Sequence, residues 1–544
     1  MEHAWSLVGA ARMRALDRYT IDTLGVPGDV LMESAGRAVL EVVLARCGAA
    51  LADGYAEALV VCGGGNNGGD GLVVARHLAQ LALPVRVALL TAPEKLRGEA
   101  RANFDRARAT GVRIEGPDAA LPERGVVVDA IFGTGLSRDV SGEAAAFIER
   151  LVTARVAGRL DVVAIDLPSG IDADTGEVLG CAVAADCTVT IACPKIGLAL
   201  EPGRSLAGEV LVARIGIADR LPDEIEAEGH EAVSLWTRGK VAAQLPARRR
   251  GGHKGSFGHV LVVAGGEGKT GAAALAATAA VRAGAGLVTI ACPRGLNDIL
   301  EVKCTEAMTA PVDDTPERGF AESAIGALVA LAETRDVVAF GPGIGQSADA
   351  RAVAHALAAK VGVPMVVDAD GLNAFAADVG ALAARPAATV LTPHPGEAAR
   401  LLGSSASEVN RDRVGAAREL AARSGAVVVL KGAATVCAEP SGRAVISPTG
   451  GPNLATGGTG DVLTGVVAAL LAQGLAPFPA AATAVWWHGR AGDRLARTGG
   501  DAGLMAHELA DALPATAVAI REGESGERID RGGRPGTLLP FPDA

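Results

Sequence analysis

Aromatic side chains are scarce in this chain, at 3% of 544 residues with only two tyrosines. Its cores must therefore be filled by alanine, valine, leucine and glycine, and small-residue cores suit helices packed tightly on parallel sheets. Positive charge is also short, with a formal net charge of -11. An acidic chain repels nucleic acid overall, so the Arg248-Arg249-Arg250 run reads as a solvated linker end before it reads as an attractor for polyphosphate. None of the eight cysteines stands in a CxxC pair, which removes the zinc-ribbon and dithiol-redox readings and leaves buried free thiols. No charge-free run is long enough for a bilayer and no apolar signal core opens the chain. The expectation is a cytoplasmic protein with no membrane or nucleic-acid partner.

What is present is a strand-then-helix rhythm. Apolar strand candidates are Ala58 to Val61, Val85 to Leu90, Val126 to Asp129, Val162 to Ile165, Thr188 to Ala192 and Val210 to Ile215. Helix is expected over Gly71 to Leu81, after a glycine-rich turn. Between about Ala218 and Arg250 the rhythm breaks into a charged stretch. It restarts with His259 to Val263 and the Ala-rich helix Gly271 to Ala283. Strands then follow at Leu287 to Ala291, Val337 to Phe340, Met365 to Val367, Thr389 to Leu391 and Val427 to Leu430. Alternation of this kind predicts an α/β protein of two parallel-sheet domains. The boundaries read as residues 1–218, a linker over 219–241, a second domain over 242–520, and a disordered Gly-, Pro- and charge-rich tail over 521–544.

Three turns in the first half follow strand ends. One is Gly63 to Gly71, holding Asn66, Asn67, Gly68, Gly69 and Asp70; another runs from Asp129 through Gly133, Thr134, Gly135 and Leu136; the third runs from Asp166 to Asp172 through Ser169. Glycines let backbone N–H groups converge on an anion at a helix start. In an open parallel sheet, ligands sit outside the carboxyl ends of the strands. Asp70, Asp129, Asp166 and Ser169 should gather there, as a hard-cation site with one carboxylate free to act as base. A single such Asp could simply cap a turn, but three such turns on one edge argue for a site.

With MESAGR at residues 32–37, the NNGGDG turn, DAIFGTGLSR and DLPSGIDADTG, the first 217 or so residues resemble the NAD(P)H-hydrate epimerase family, which has a Rossmann-like fold. The resemblance implies that Asn66, Asn67, Gly68, Gly69 and Asp70 hold the hydrated nucleotide together with Gly133, Thr134, Gly135, Leu136, Ser137, Arg138, Asp139 and Asp166. It also implies a potassium ion on Asn67, Asp129 and Ser169, and Asp166 as the acid/base of epimerisation.

The second half carries the strongest motif, Asn453 to Asp461 (NLATGGTGD). Its glycines at a helix start build an anion hole, and Asp461 beside them can take a proton from a hydroxyl attacking a phosphoryl group. The loops GPGIG (341–345), DADGLN (368–373), TPHPGE (392–397) and LKGAAT (430–435) all follow strands and suit the same site. Lys431 and Thr435 offer a cation and a hydroxyl for nucleotide phosphates.

GTGD at an anion hole resembles the ribokinase-like superfamily. Together with GHKGSFG at 252–258, the set is similar to the ADP/ATP-dependent NAD(P)H-hydrate dehydratases over about Ala242 to Leu513. That similarity implies that Lys431, Gly432, Ala433, Ala434, Thr435 and Gly460 contact the adenine nucleotide, and that Gly343, His394 and Asp461 contact the substrate. It further implies NADHX and NADPHX as substrates, ADP with magnesium as cosubstrate, and a homo-oligomer. The combined expectation is an enzyme that interconverts R and S NAD(P)HX and dehydrates the S epimer. Two rival readings stand beside it: a vitamin-alcohol kinase, because GTGD is shared with that class, and a nucleotide-sensing scaffold with dead folds. The HKGSFG and TPHPGE loops speak against the first, and intact Asp166, Lys431 and Asp461 against the second.

Overall fold

The computed structural model describes residues 5–156, 158, 160–218, 220–221, 233–523 and 538–542. These divide into two compact α/β units, one holding 6–221 with 538–542, the other holding Trp5 and 233–523.

The first unit is a sheet of β1 (Glu57–Cys62), β2 (Val85–Leu89), β3 (Arg113–Glu115), β4 (Gly125–Ala130), β5 (Leu160–Ile165), β6 (Cys187–Ile191) and β7 (Glu209–Ala213). They lie in the order β7-β6-β5-β4-β1-β2-β3, all parallel. The direction of winding reverses between β1 and β4, the point at which open α/β sheets place ligands, outside the carboxyl ends of the strands. The loops leaving these two strands are in contact: a Cβ on Gly63 would lie 2.0 Å from the Ile131 carbonyl oxygen. Strands buried on both faces explain the unbroken Val-rich runs, since β4 is buried along its whole length.

The second unit comprises β8 (Val233–Leu235), β9 (His259–Val263), β10 (Leu287–Pro293), β11 (Met308–Val312), β12 (Val337–Phe340), β13 (Met365–Val367), β14 (Thr389–Leu391), β15 (Val427–Leu430), β16 (Val436–Ala438) and β17 (Ala444–Ile446). Their order is β8-β17-β16-β15-β14-β13-β12-β9-β10-β11. The strands are parallel from β11 to β15, with an antiparallel β15-β16-β17 meander beyond. Here the winding reverses between β9 and β12. Over the sheet, α3 (Thr270–Arg282) packs on α5 (Thr459–Ala472). Their approach is set by small residues: a Cβ on Gly465 would lie 2.2 Å from the Ala276 carbonyl oxygen. The shortage of aromatics is thus answered by close helix contact.

Three expectations are corrected. The stretch read as linker, 219–241, contains β8, paired parallel with β17, and a helix beginning at Arg238. Its charges obscured the alternating apolar pair Val233 and Leu235, both buried. The segment read as a disordered tail is not wholly so: α7 (Ala506–Glu522) passes into it, and Leu538–Pro540 pairs antiparallel with β7. The rest of that segment, 524–537 and 543–544, lies outside the described residues, as does most of the expected linker. Finally, the helix after β1 starts at Asn66, not Gly71 (α2, Asn66–Gln80). Its glycines serve close approach more than turn geometry: Cβ atoms on Gly68 and Gly71 would lie 2.1 Å from the Gly63 carbonyl oxygen and 2.6 Å from the Ala130 Cβ. Among the described residues, no helix is long and apolar enough to cross a membrane.

Candidate active sites

In the first unit, the carboxyl ends of β1, β4 and β5 gather the side chains that the three turns carry. Asp129, the fifth residue of β4, is fully buried. Its Oδ2 accepts from the Ser169 backbone N–H at 2.7 Å, and its Oδ1 from the Ser169 hydroxyl at 2.6 Å. The Ser169 hydroxyl oxygen in turn accepts from Phe132 N–H at 2.8 Å. Burial pushes the Asp129 carboxyl up to about 6 against these hydrogen bonds, and among the described residues no cationic side chain offsets it. A buried carboxylate held by a hydroxyl and backbone N–H groups, with no cationic side chain among the described residues to offset it, has the chemistry that fits a hard monovalent cation. Asn67 leaves its amide nitrogen buried without a partner, beside the loop at Gly133, where a Cβ would lie 3.4 Å from Asn67 Oδ1. The described residues contain no cluster of three His, Cys, Asp or Glu side chains suited to a metal.

Asp166 follows β5 with a positive φ of 70°. That is a strained conformation for a residue with a side chain, held here by its surroundings. Its two oxygens face different ways. Oδ1 takes Ile191 N–H at 3.2 Å and the ammonium of Lys195, a lysine with no solvent exposure. Oδ2 takes Thr134 N–H at a long 3.3 Å, and lies 3.0 Å from the Cβ position of Gly133. Asp70, also buried, has its carboxyl raised well above the usual range by burial, then by the charges of Asp166 and Asp17, with Lys195 opposing.

In the second unit, α5 begins at the TGGTGD loop. Gly458 takes a φ of 96° just before it, which a side chain would resist. A cleft of about 450 Å³ is lined by Gly268, Lys269, Gly343, Asp370, Glu397, Gly457, Gly458 and Asp461, among others. Burial, helped by the charge of Asp368 and opposed by Lys431, pushes Asp461 up to about 7. Lys431 Nζ donates to Asp368 Oδ1 at 2.8 Å, while Thr464 of α5 donates to Asp368 Oδ2 at 2.8 Å. A Cβ on Gly460 would lie 3.3 Å from Lys431 Nζ. Burial opposes the charge on Lys431, but Asp368 and Glu397 outweigh it and raise its pKa. Below the loop, His488 Nε2 meets the Thr459 carbonyl oxygen at 2.9 Å, and burial lowers this imidazole to about 4. At neutral pH it is therefore an uncharged prop.

Comparison with known proteins assigns both halves. The YjeF-related protein N-terminus family matches residues 28–197 and the NAD(P)H-hydrate dehydratase family matches residues 260–515. A bifunctional NAD(P)H-hydrate repair enzyme of Moorella thermoacetica is 45% identical over 517 residues, covering 93% of this chain and 96% of that protein. The chain belongs to the bifunctional NAD(P)H-hydrate repair enzymes. A second member, from Thermofilum pendens, is 39% identical over 522 residues, covering 94% of this chain and 96% of its own. Among solved structures, an ADP/ATP-dependent NAD(P)H-hydrate dehydratase from Bacillus subtilis co-crystallised with ATP/Mg2+ is 32% identical. It covers 53% of this chain and 98% of its own, with a TM-score of 0.46.

For a repair enzyme of this family, the expected residues fall into place unevenly. Gly343 and Asp461 line the cleft. His394 is instead the N-cap of α4 (Pro395–Leu402), its Nδ1 accepting from Gly396 and Glu397 N–H at 3.0 and 3.3 Å. The cleft is lined by its helix partner Glu397. Lys431 to Thr435 leave β15 on the carboxyl edge, where Arg413, buried, donates to the Leu430 and Lys431 carbonyl oxygens at 3.1 Å each. The HKGSFG segment precedes β9 and packs on Gly286 before β10, so it lies at the opposite end of the sheet from the TGGTGD loop. Sequence reasoning passed over Lys195, Lys269, Glu397, Arg413 and His488 as individual residues. Only Lys195 carried a usable signal, a lysine inside the apolar run at residues 187–200, where an unpaired charge would be costly.

Proposed function

We propose that the chain repairs hydrated NADH and NADPH in two steps: epimerisation of R and S NAD(P)HX in the first unit, and ADP-dependent dehydration of the S epimer in the second. The observation that carries this reading is the meeting of Asp461 with Gly457 and Gly458 at the start of α5, in a cleft shared with Gly343. That arrangement offers what phosphoryl transfer needs, neutralised oxygens and an oriented nucleophile.

In the second unit, Asp461 takes the proton of the ring hydroxyl as its oxygen attacks the β-phosphoryl group of ADP, releasing AMP. Backbone N–H groups from Gly458 to Gly460 hold the developing charge, and Lys431 lies beneath them as a fixed cation. Phosphate is a far better leaving group than hydroxide. The ring nitrogen lone pair expels it, and loss of a proton from the adjacent carbon restores the dihydropyridine. Lys431 to Thr435 and Gly460 face the adenine nucleotide in this reading, and magnesium enters with it.

In the first unit, Asp166 is the acid/base, with the Asn66–Asp70 and Gly133–Asp139 loops holding the dinucleotide. Asn67, Asp129 and Ser169 would hold a potassium ion, whose chemistry is to supply positive charge beside Asp129. We also read the protein as cytoplasmic and as a homo-oligomer; sedimentation of the purified chain tests the oligomeric state.

The experiment is recovery of reduced-nicotinamide absorbance from a mixed-epimer NADHX sample with ADP, with ATP, and with neither. Complete recovery dependent on ADP supports both activities. Failure with either nucleotide, together with a stable phosphorylated product from an alcohol substrate, overturns the reading in favour of a kinase.

A further inference from the structure

The reading above gives Asp166 its role but leaves unexplained a fully buried charge bound to it. Lys195 has no solvent exposure. It sits four residues past β6, and its ammonium meets three oxygens: Asp166 Oδ1, the Ile191 carbonyl at 2.7 Å and the Thr190 hydroxyl at 3.2 Å. An ammonium has three protons, so these partners use all of them. Nothing is left over for a substrate, and the group has no exposed surface with which to touch one. A buried lysine is costly unless fully paired, and this one is fully paired.

The consequence falls on Asp166. Lys195 and Ile191 N–H both bind Oδ1. Oδ2 keeps only the long contact from Thr134 N–H and faces Gly133. One oxygen is therefore immobilised on the protein side, and the other is presented to the Gly133–Asp139 loop. The surrounding charges make a cation necessary. Asp70 lies close enough to feel Asp166, and Asp17 adds a third carboxylate to the group. Without Lys195, Asp166 would share a buried space with like charge and nothing would fix which way its carboxylate turns.

We propose that Lys195 is a positioning residue for epimerisation: it pins Oδ1 of Asp166 so that Oδ2 is held, correctly aimed, against the substrate loop. This inference rests on the assignment of Asp166 as acid/base. It concerns a step in which no group is transferred to the lysine, which forms no bond with substrate.

The test measures interconversion of separated R and S NADHX by chromatography without nucleotide, so that dehydration stays silent. Lys195→Met is expected to lower kcat on the order of 100-fold while KM changes less than about threefold. Lys195→Arg, which keeps the cation, should recover part of the loss. In an Asp166→Asn background, Lys195→Met should cost nothing further, because a residue acting through Asp166 has nothing left to act on. Thermal unfolding followed by circular dichroism checks that the first unit stays folded in the same variants, and dehydration of pure S-NADHX with ADP checks the second. Equal losses from Lys195→Met in both backgrounds, or a wild-type rate in the single variant, would overturn the proposal. A wild-type rate in Asp166→Asn alone overturns the underlying role of Asp166 instead. Should Lys195→Met lose the fold of the first unit, Thr190→Val removes one of the lysine's anchors without touching charge. It is expected to lower kcat severalfold, with KM held, and no change in kcat would count against the proposal.

Discussion

At the scale of single residues, the chemistry depends on burial as much as on identity. Asp461 is an ordinary aspartate in the sequence, yet it is pushed up to about 7 by desolvation and Asp368. A base must be unprotonated to work. The kcat/KM of dehydration should therefore fall about tenfold per pH unit below that value, measured with S-NADHX and ADP in constant ionic strength. Asp461→Asn should reduce the rate by roughly 100- to 10,000-fold. The same shift has a cost in stability. A carboxyl whose folded pKa lies above its unfolded value binds its proton more tightly when folded, so stability is lost as pH rises from the unfolded value of 3.8 towards 7. The asparagine variant escapes that loss. At pH 8 its second unit should melt higher than wild type, and a lower melting temperature would contradict the burial argument.

Among the elements, glycine carries much of the architecture. At Gly465, in the middle of α5, two effects of a Gly→Ala change compete. Alanine favours the helix by up to about 1 kcal/mol. Against this, its Cβ would lie 2.2 Å from the Ala276 carbonyl oxygen of α3, and overpacking costs about 1–3 kcal/mol. The obstacle is backbone, which cannot swing aside, so the packing term should win. Gly465→Ala is expected to lower the stability of the second unit by about 1–2 kcal/mol, read as a lower melting temperature by calorimetry. Since α5 begins at the TGGTGD loop, its displacement should also raise the KM for ADP. The helix α2 gives the opposite lesson about reading. Its glycines resemble a flexible phosphate turn in one dimension, whereas in the structure they are helical and let α2 lie against the ends of β1 and β4.

For the whole molecule, the two sites belong to separate compact units, each with its own sheet and switch point. Damage to one should spare the other. With Asp166→Asn, a mixed-epimer sample supplied with ADP should recover quickly to the S fraction and then slow to the rate of spontaneous epimerisation. Recovery of the full absorbance at the wild-type rate would show that the first unit is not needed for interconversion.

The sequence by itself determined the class of fold, the central strands of each sheet and the loops that end them, because apolar runs and glycine-rich turns are local signals; the short outer strands β3, β8, β11, β16 and β17 left no such signal. It also carried the motifs that place this chain among the repair enzymes. What only the tertiary structure decided is who meets whom. Lys195 reaches Asp166 across 29 positions, and Asp368 gathers Lys431 and Thr464 from 63 and 96 positions away. His488 props the loop at Thr459 from another helix. The HKGSFG segment, part of the same family resemblance as the site loops, is carried to the far end of the sheet. Such pairings follow from strand order and crossover, which no local pattern encodes, and the costs of burying charge then dictate which side chains must meet.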